Sequence, residues 1–127
     1  MTRKEFENLV YESFGIVADY PFEDDLVTGV FRHTGTGKWF ALAMNIPASR
    51  LGKEDFQKID VVNLKCSPEV IDSLVGCEAG VYRAYHMNKN HWLTLSLSEC
   101  DAETVSWLLE ASYDLTKSKI VRKKSKA

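Results

Sequence analysis

The run His86-Met87-Asn88-Lys89-Asn90-His91-Trp92 gathers more ligand-binding side chains than any other stretch of this 127-residue chain. Two histidines, two amides, a lysine and a tryptophan could hold a metal, grip a phosphate or fasten a hairpin. A metal would need a third ligand, and outside the carboxylates only His33 and Cys66 offer soft donors. No HExxH, CxxC or carboxylate–histidine pair stands near enough in sequence to complete the set. Neither a metal nor a cofactor is therefore expected. A Cys–His nucleophile built on Cys66 would need an exposed thiolate. A helix start just after Cys66 would lower its pKa, and an inward face would raise it. There is no GxGxxG or Walker sequence, so no catalytic residue is assigned and a non-enzymatic module is expected. Within the turn, Asn88 and Asn90 suit left-handed positions, and Lys89 at the tip could meet a phosphate oxygen. His86 and His91 could instead lock the hairpin to the third strand or the last helix.

The elements around this turn can be read from periodicity. Thr2 and Glu5 have capping-box spacing, Phe6, Leu9, Val10 and Phe14 share a helical face, and Gly15 stops the helix. Strands are expected at about 27–34 and 38–46, joined through Gly35-Thr36-Gly37. A connecting excursion over 47–58, with a helical turn near Glu54, leads to a strand at about 59–66. Ser67-Pro68-Glu69 opens a short second helix. Strands at about 80–86 and 92–98 follow, the latter alternating Leu93, Leu95 and Leu97 with Thr94 and Ser96, and Asp101 caps a last helix. The order α-βββ-α-ββ-α predicts an α+β fold, an antiparallel sheet of about five strands with helices packed on one face.

If the leucines of the last strand face the helices, Trp92, Thr94 and Ser96 face away. Asn63 and Lys65 would share that outer face, and Arg83 and Tyr85 would join them if that pair also points outward. Bases interleaved with aromatics suit a nucleic acid or another anion, although an ordinary solvated face has the same composition.

Composition sets the outer limits. A 45% apolar and 11% aromatic content supports one packed core, and the net charge is -2. No apolar run approaches the roughly 18 residues of a membrane span, and the charged start lacks a signal-peptide core. Three widely spaced cysteines read as reduced thiols of a cytoplasmic protein. Six bases and no acid fall between Lys117 and Ala127, so residues 1–116 are expected to form the domain and 117–127 a basic, flexible tail. Such a tail can bind polyanions or simply solubilise a frayed terminus.

Val62-Asn63-Leu64-Lys65-Cys66-Ser67-Pro68-Glu69, the His86–Trp92 string and Leu109-Glu110-Ala111-Ser112-Tyr113 resemble the MmcQ/YjbR-like family of small bacterial proteins. Tyr20-Pro21-Phe22 and Trp39-Phe40-Ala41 are similar to its N-terminal half. The resemblance implies a frataxin-like, CyaY-like fold whose two hairpins form a double wing proposed to bind DNA. Under that reading Lys65, Arg83, Lys89 and His91 would contact phosphates, with Tyr85 and Trp92 stacking or meeting a partner. The alternative is a protein-interaction or small-ligand module anchored on Trp39, Tyr85 or Trp92.

Overall fold

The computed structural model describes residues 1–117. The basic run expected as a tail lies outside them, apart from Lys117. Helix α1 (Arg3–Phe14) carries the expected capping box: the Thr2 hydroxyl accepts the Glu5 N–H at 3.1 Å and the Glu5 carboxylate accepts the Thr2 N–H at 2.7 Å. Gly15 ends the helix at φ 70, where a side chain would be strained. Strands β1 (Gly29–Arg32) and β2 (Trp39–Pro47) form the first hairpin, and a 3-10 turn follows at Ala48–Leu51, earlier than the turn expected near Glu54. Strand β3 (Lys58–Lys65), helix α2 (Pro68–Leu74), strands β4 (Val81–Arg83) and β5 (Trp92–Ser96) and helix α3 (Ala102–Leu115) complete the order α-βββ-α-ββ-α. Every pairing in the β1-β2-β3-β5-β4 sheet is antiparallel, which places β4 at one edge.

Register assigns the two faces. Ala41↔Leu64, Ala43↔Val62, Val62↔Leu95 and Leu64↔Leu93 point to the helices, where Phe6, Phe31, Phe40, Leu108 and Leu109 close the main core. Leu42↔Asn63, Met44↔Val61, Asn63↔Thr94 and Val61↔Ser96 point the other way. That second face is not the solvated surface predicted from alternation. Leu42, Met44, Ile46, Val61, Asn63, Thr94 and Ser96 are all buried there, and Leu51, Ile59 and Tyr85 pack over part of it. Strand β2 already showed the reason, because its residues are apolar at both parities, the pattern of a strand covered on both sides.

Helix α3 is fastened through Ser112. Its hydroxyl accepts the Lys65 N–H at 2.9 Å and donates to the Phe40 carbonyl at 2.5 Å. Phe40 and Lys65 follow the last β2–β3 pair, Ala41↔Leu64, so the hydroxyl stands in for the next rung of the ladder.

His33 is also held by α3. It is 7% exposed, lies between the rings of Phe40 and Tyr113, and its Nε2 is 2.7 Å from Thr116 Oγ1. Because the Thr116 hydroxyl donates to the Ser112 carbonyl, it accepts from His33, which assigns the ring proton to Nε2. Burial pushes the imidazole below its ordinary 6.5, Lys117 and Lys38 act in the same direction, and the Tyr113 carbonyl opposes them. The unfolded chain therefore binds more protons as pH falls through 6.5. Stability should be fully present above that value and be lost as pH falls through the folded pKa. Chemical denaturation at pH 7.5, 6.5 and 5.5 should show this loss, and His33→Gln should flatten it.

Candidate functional site

Strand β4 leaves the ladder after Arg83, three residues earlier than predicted, and side chains take over its support. The Thr94 hydroxyl accepts the Tyr85 N–H at 2.9 Å and donates to Asn63 Oδ1 at 2.5 Å. Asn63 Nδ2 completes the circuit by donating to the Tyr85 carbonyl at 2.8 Å. Both side chains are fully buried, and the circuit gives every polar atom facing Tyr85 a partner. This clamp leads directly into His86 at φ 62, the one non-glycine residue with positive φ among those described. The left-handed position thus falls on His86 rather than on Asn88 or Asn90. Asn88 instead uses Oδ1 to accept the Asn90 N–H at 2.8 Å and its carbonyl to accept the Trp92 N–H at 2.9 Å.

Lys89 is not free at the tip, because its ammonium donates to the Ala84 carbonyl at 2.7 Å and closes the turn. His86 and His91 have exposed side chains that form no hydrogen bond among the described residues. Their fastening role passes to Asn63, Thr94 and Lys89, and to the His91 carbonyl, which takes the Cys66 N–H at 2.9 Å.

The clamped turn forms one wall of a groove of about 750 Å³ across the second sheet face. Leu42, Met44 and Asn63 make its floor, Tyr85, His86 and Met87 one wall, and the segment 21–28 with Trp39 the other. Phe22 meets Trp39 edge to face, with ring centroids 6.1 Å apart. Asp25 shapes the second wall. Its Oδ1 accepts the N–H groups of Val27 and Thr28 at 3.0 and 2.9 Å, and its Oδ2 accepts the Thr28 hydroxyl. The Thr28 hydroxyl and these backbone donors hold its carboxyl below the usual carboxylate range, so it remains anionic. Glu23 and Asp24 add two more acids to this rim. Apolar floor, aromatic walls and a few convergent polar groups are the usual make-up of a small-molecule site of this size.

A second concavity, of about 800 Å³, lies along the edge of β4 on the other side of Tyr85. Arg50, Arg83 and Lys89 line it together with Glu78 and the exposed Cys77. Arg83 does not share a face with Tyr85. It stands opposite Leu93, on the helix side, and pairs with Asp72 of α2 at 3.1 Å. Both partners are about half exposed or more, so the pair stabilises little. Lys65 stands opposite Trp92 at the end of the β3–β5 ladder, and neither residue nor His91 lines either concavity. Of the seven residues singled out from sequence as contacts or anchors, the β4-edge pocket gathers Arg83, Tyr85 and Lys89, while Trp39 and Tyr85 reach the groove. Phe22, Leu42, Met44 and Arg50 were missed. The acid run Glu23-Asp24-Asp25 and the apolar parity of β2 were the available signals.

Cys66 is 3% exposed and burial raises its thiol pKa, while burial pushes Cys100 up to about 11 with Glu78 and Asp101 adding to it. Neither resembles an activated thiolate. Tyr82, Lys53 and Glu99 form a polar cluster, in which the tyrosine hydroxyl donates to Glu99 at 2.5 Å and Lys53 pairs with the same carboxylate. Among the described residues no three His, Cys, Asp or Glu side chains gather closely enough to hold a metal ion. No helix among them is long and apolar enough to cross a membrane.

These features define a small α+β sheet domain with a ligand-sized groove on its non-helical face. The chain belongs to the YjbR family, whose model matches residues 11–115. It is 38% identical over 118 residues to the uncharacterized protein YyaQ of Bacillus subtilis, spanning 92% of this chain and 99% of that one. The crystal structure of a Pseudomonas syringae protein, also 38% identical, superposes with a TM-score of 0.88 and covers 92% of this chain and 100% of its own. Deinococcus radiodurans protein DR2400, with a DUF419 domain, is 25% identical with a TM-score of 0.69, over 97% of this chain and 86% of its own.

Proposed function

We propose that this domain is a non-enzymatic binding module and that the groove between segment 21–28 and the Tyr85 turn is its ligand site. One observation carries this reading: three separate parts of the chain converge on an apolar floor that nothing among the described residues fills. Nile red, a neutral apolar dye, tests it. Saturable, blue-shifted fluorescence is expected, and Trp39→Ala should weaken it about tenfold, or ~1.4 kcal/mol, by removing an aromatic wall. No saturable binding, or binding unchanged in a folded Trp39→Ala variant, would count against the groove.

A second reading, a polyanion such as DNA, is supported by the convergence of Arg50, Arg83 and Lys89 at the β4 edge. Charge limits it. Removing the five bases beyond residue 117 from the chain's sixteen leaves eleven against eighteen acids, a formal charge of -7 for residues 1–117. Duplex DNA would then depend on that local patch, helped by bases beyond 117. If the patch takes part, Arg83→Ala and Lys89→Ala should each weaken low-salt binding measured by fluorescence anisotropy. No binding below about 100 µM duplex would end this reading. Three free cysteines, two of them buried, accord with a reducing cytoplasmic setting.

A further inference from the structure

We infer that the groove selects a small organic cation, an apolar or aromatic body ending in an ammonium group. This rests on the groove being a ligand site and goes on to assign the charge of what it takes. The rim carries Glu23, Asp24 and Asp25, and among the described residues no lysine or arginine lines the groove. His86 is the one basic side chain among its described lining residues. Two nearby bases have acidic partners of their own: Arg3 pairs with Glu7 and donates to the Val27 carbonyl, and Arg32 pairs with Asp19. The charge of the groove's described lining is therefore predominantly that of its carboxylates, which repel an anion and attract a cation.

The walls match that charge. Phe22, Trp39 and Tyr85 give the groove three aromatic rings, and aromatic faces attract ammonium groups through their quadrupole while also covering apolar surface. An inorganic cation is a poor match, because the floor beneath the acids is Leu42 and Met44 beside an Asn63 amide already bonded to Thr94 and Tyr85, and it offers few oxygen ligands. The volume suits a compact molecule. The preferred occupant has a hydrocarbon part for the floor and a positive end for the rim.

Three ligands of equal length isolate the charge: 4-phenylbutylamine, 4-phenylbutanol and 4-phenylbutyrate, titrated calorimetrically into the full chain. The amine should bind at least tenfold more tightly than the alcohol, and the carboxylate most weakly. The double variant Glu23→Gln, Asp24→Asn should bring the amine most of the way to the level of the alcohol, with Asp25 keeping the remainder, and leave the alcohol unchanged. Equal affinities for amine and alcohol, or an amine indifferent to the double variant, overturn the inference while the groove remains a site. If none of the three binds, both the inference and the ligand-site reading fail.

Discussion

Thr94→Val should destabilise the domain by about 2–4 kcal/mol, although valine has nearly the same shape. The substitution strips partners from two groups at once, since the Tyr85 N–H and Asn63 Oδ1 both bond to the Thr94 hydroxyl. Asn63 and Thr94 are fully buried, so water cannot replace the lost bonds without entering the sheet face. Each orphaned group costs roughly 1–3 kcal/mol, and relaxation of the turn recovers part of that. The effect should extend to the site, because the released backbone is the wall that ends in His86 at φ 62. Urea unfolding should show a lower midpoint at unchanged slope, and hydrogen exchange should accelerate at the Tyr85 amide. Thr94→Ser keeps the hydroxyl and should retain most of the stability. A Thr94→Val protein within about 0.5 kcal/mol of wild type would mean that the clamp does not hold the turn.

Ser112→Ala should cost a similar amount, about 2–3 kcal/mol, for a related reason. One hydroxyl accepts from Lys65 and donates to Phe40, so its loss leaves a backbone donor and a backbone acceptor facing each other across a gap. The added cavity is small, since only an oxygen is removed. The strands have an alternative, which is to close and bond Lys65 N–H directly to the Phe40 carbonyl. That would reduce the cost to a few tenths of a kcal/mol. Denaturant unfolding separates these outcomes. A large loss shows that packing of α3 keeps the strand ends apart, and a negligible one shows that the ladder can zip shut.

The sequence made the scaffold legible wherever local rules acted alone. The Thr2–Glu5 capping box, the Gly15 stop and the leucine alternation of β5 all appear in the structure as expected. The site was harder to read because it depends on an interrupted strand. Arg83 and Tyr85 were predicted to share a face because residues two apart do so in extended backbone. The strand ends at Arg83, and the irregular backbone after it carries Tyr85 to the opposite side. Parity beyond that point had no meaning. Strand parity puts Asn63 on the outer face, where it does lie, yet there it is the buried half of the clamp. Only tertiary contact with Tyr85 and Thr94 shows that, and no local periodicity encodes it. Lys89 reads in the sequence as a free loop-tip cation, whereas in the fold the Ala84 carbonyl engages it.

The most direct measurement is an NMR titration of the full chain with 4-phenylbutylamine, following backbone amides, the Trp39 indole and the methionine methyls. Ligand in the groove should produce saturable shifts at residues 22–28, the Trp39 indole, the Met44 methyl and residues 85–87, with residues 76–80 along the β4 edge unmoved. Shifts confined to Arg50–Gly52 and residues 76–80, or no saturable shifts at all, would contradict it.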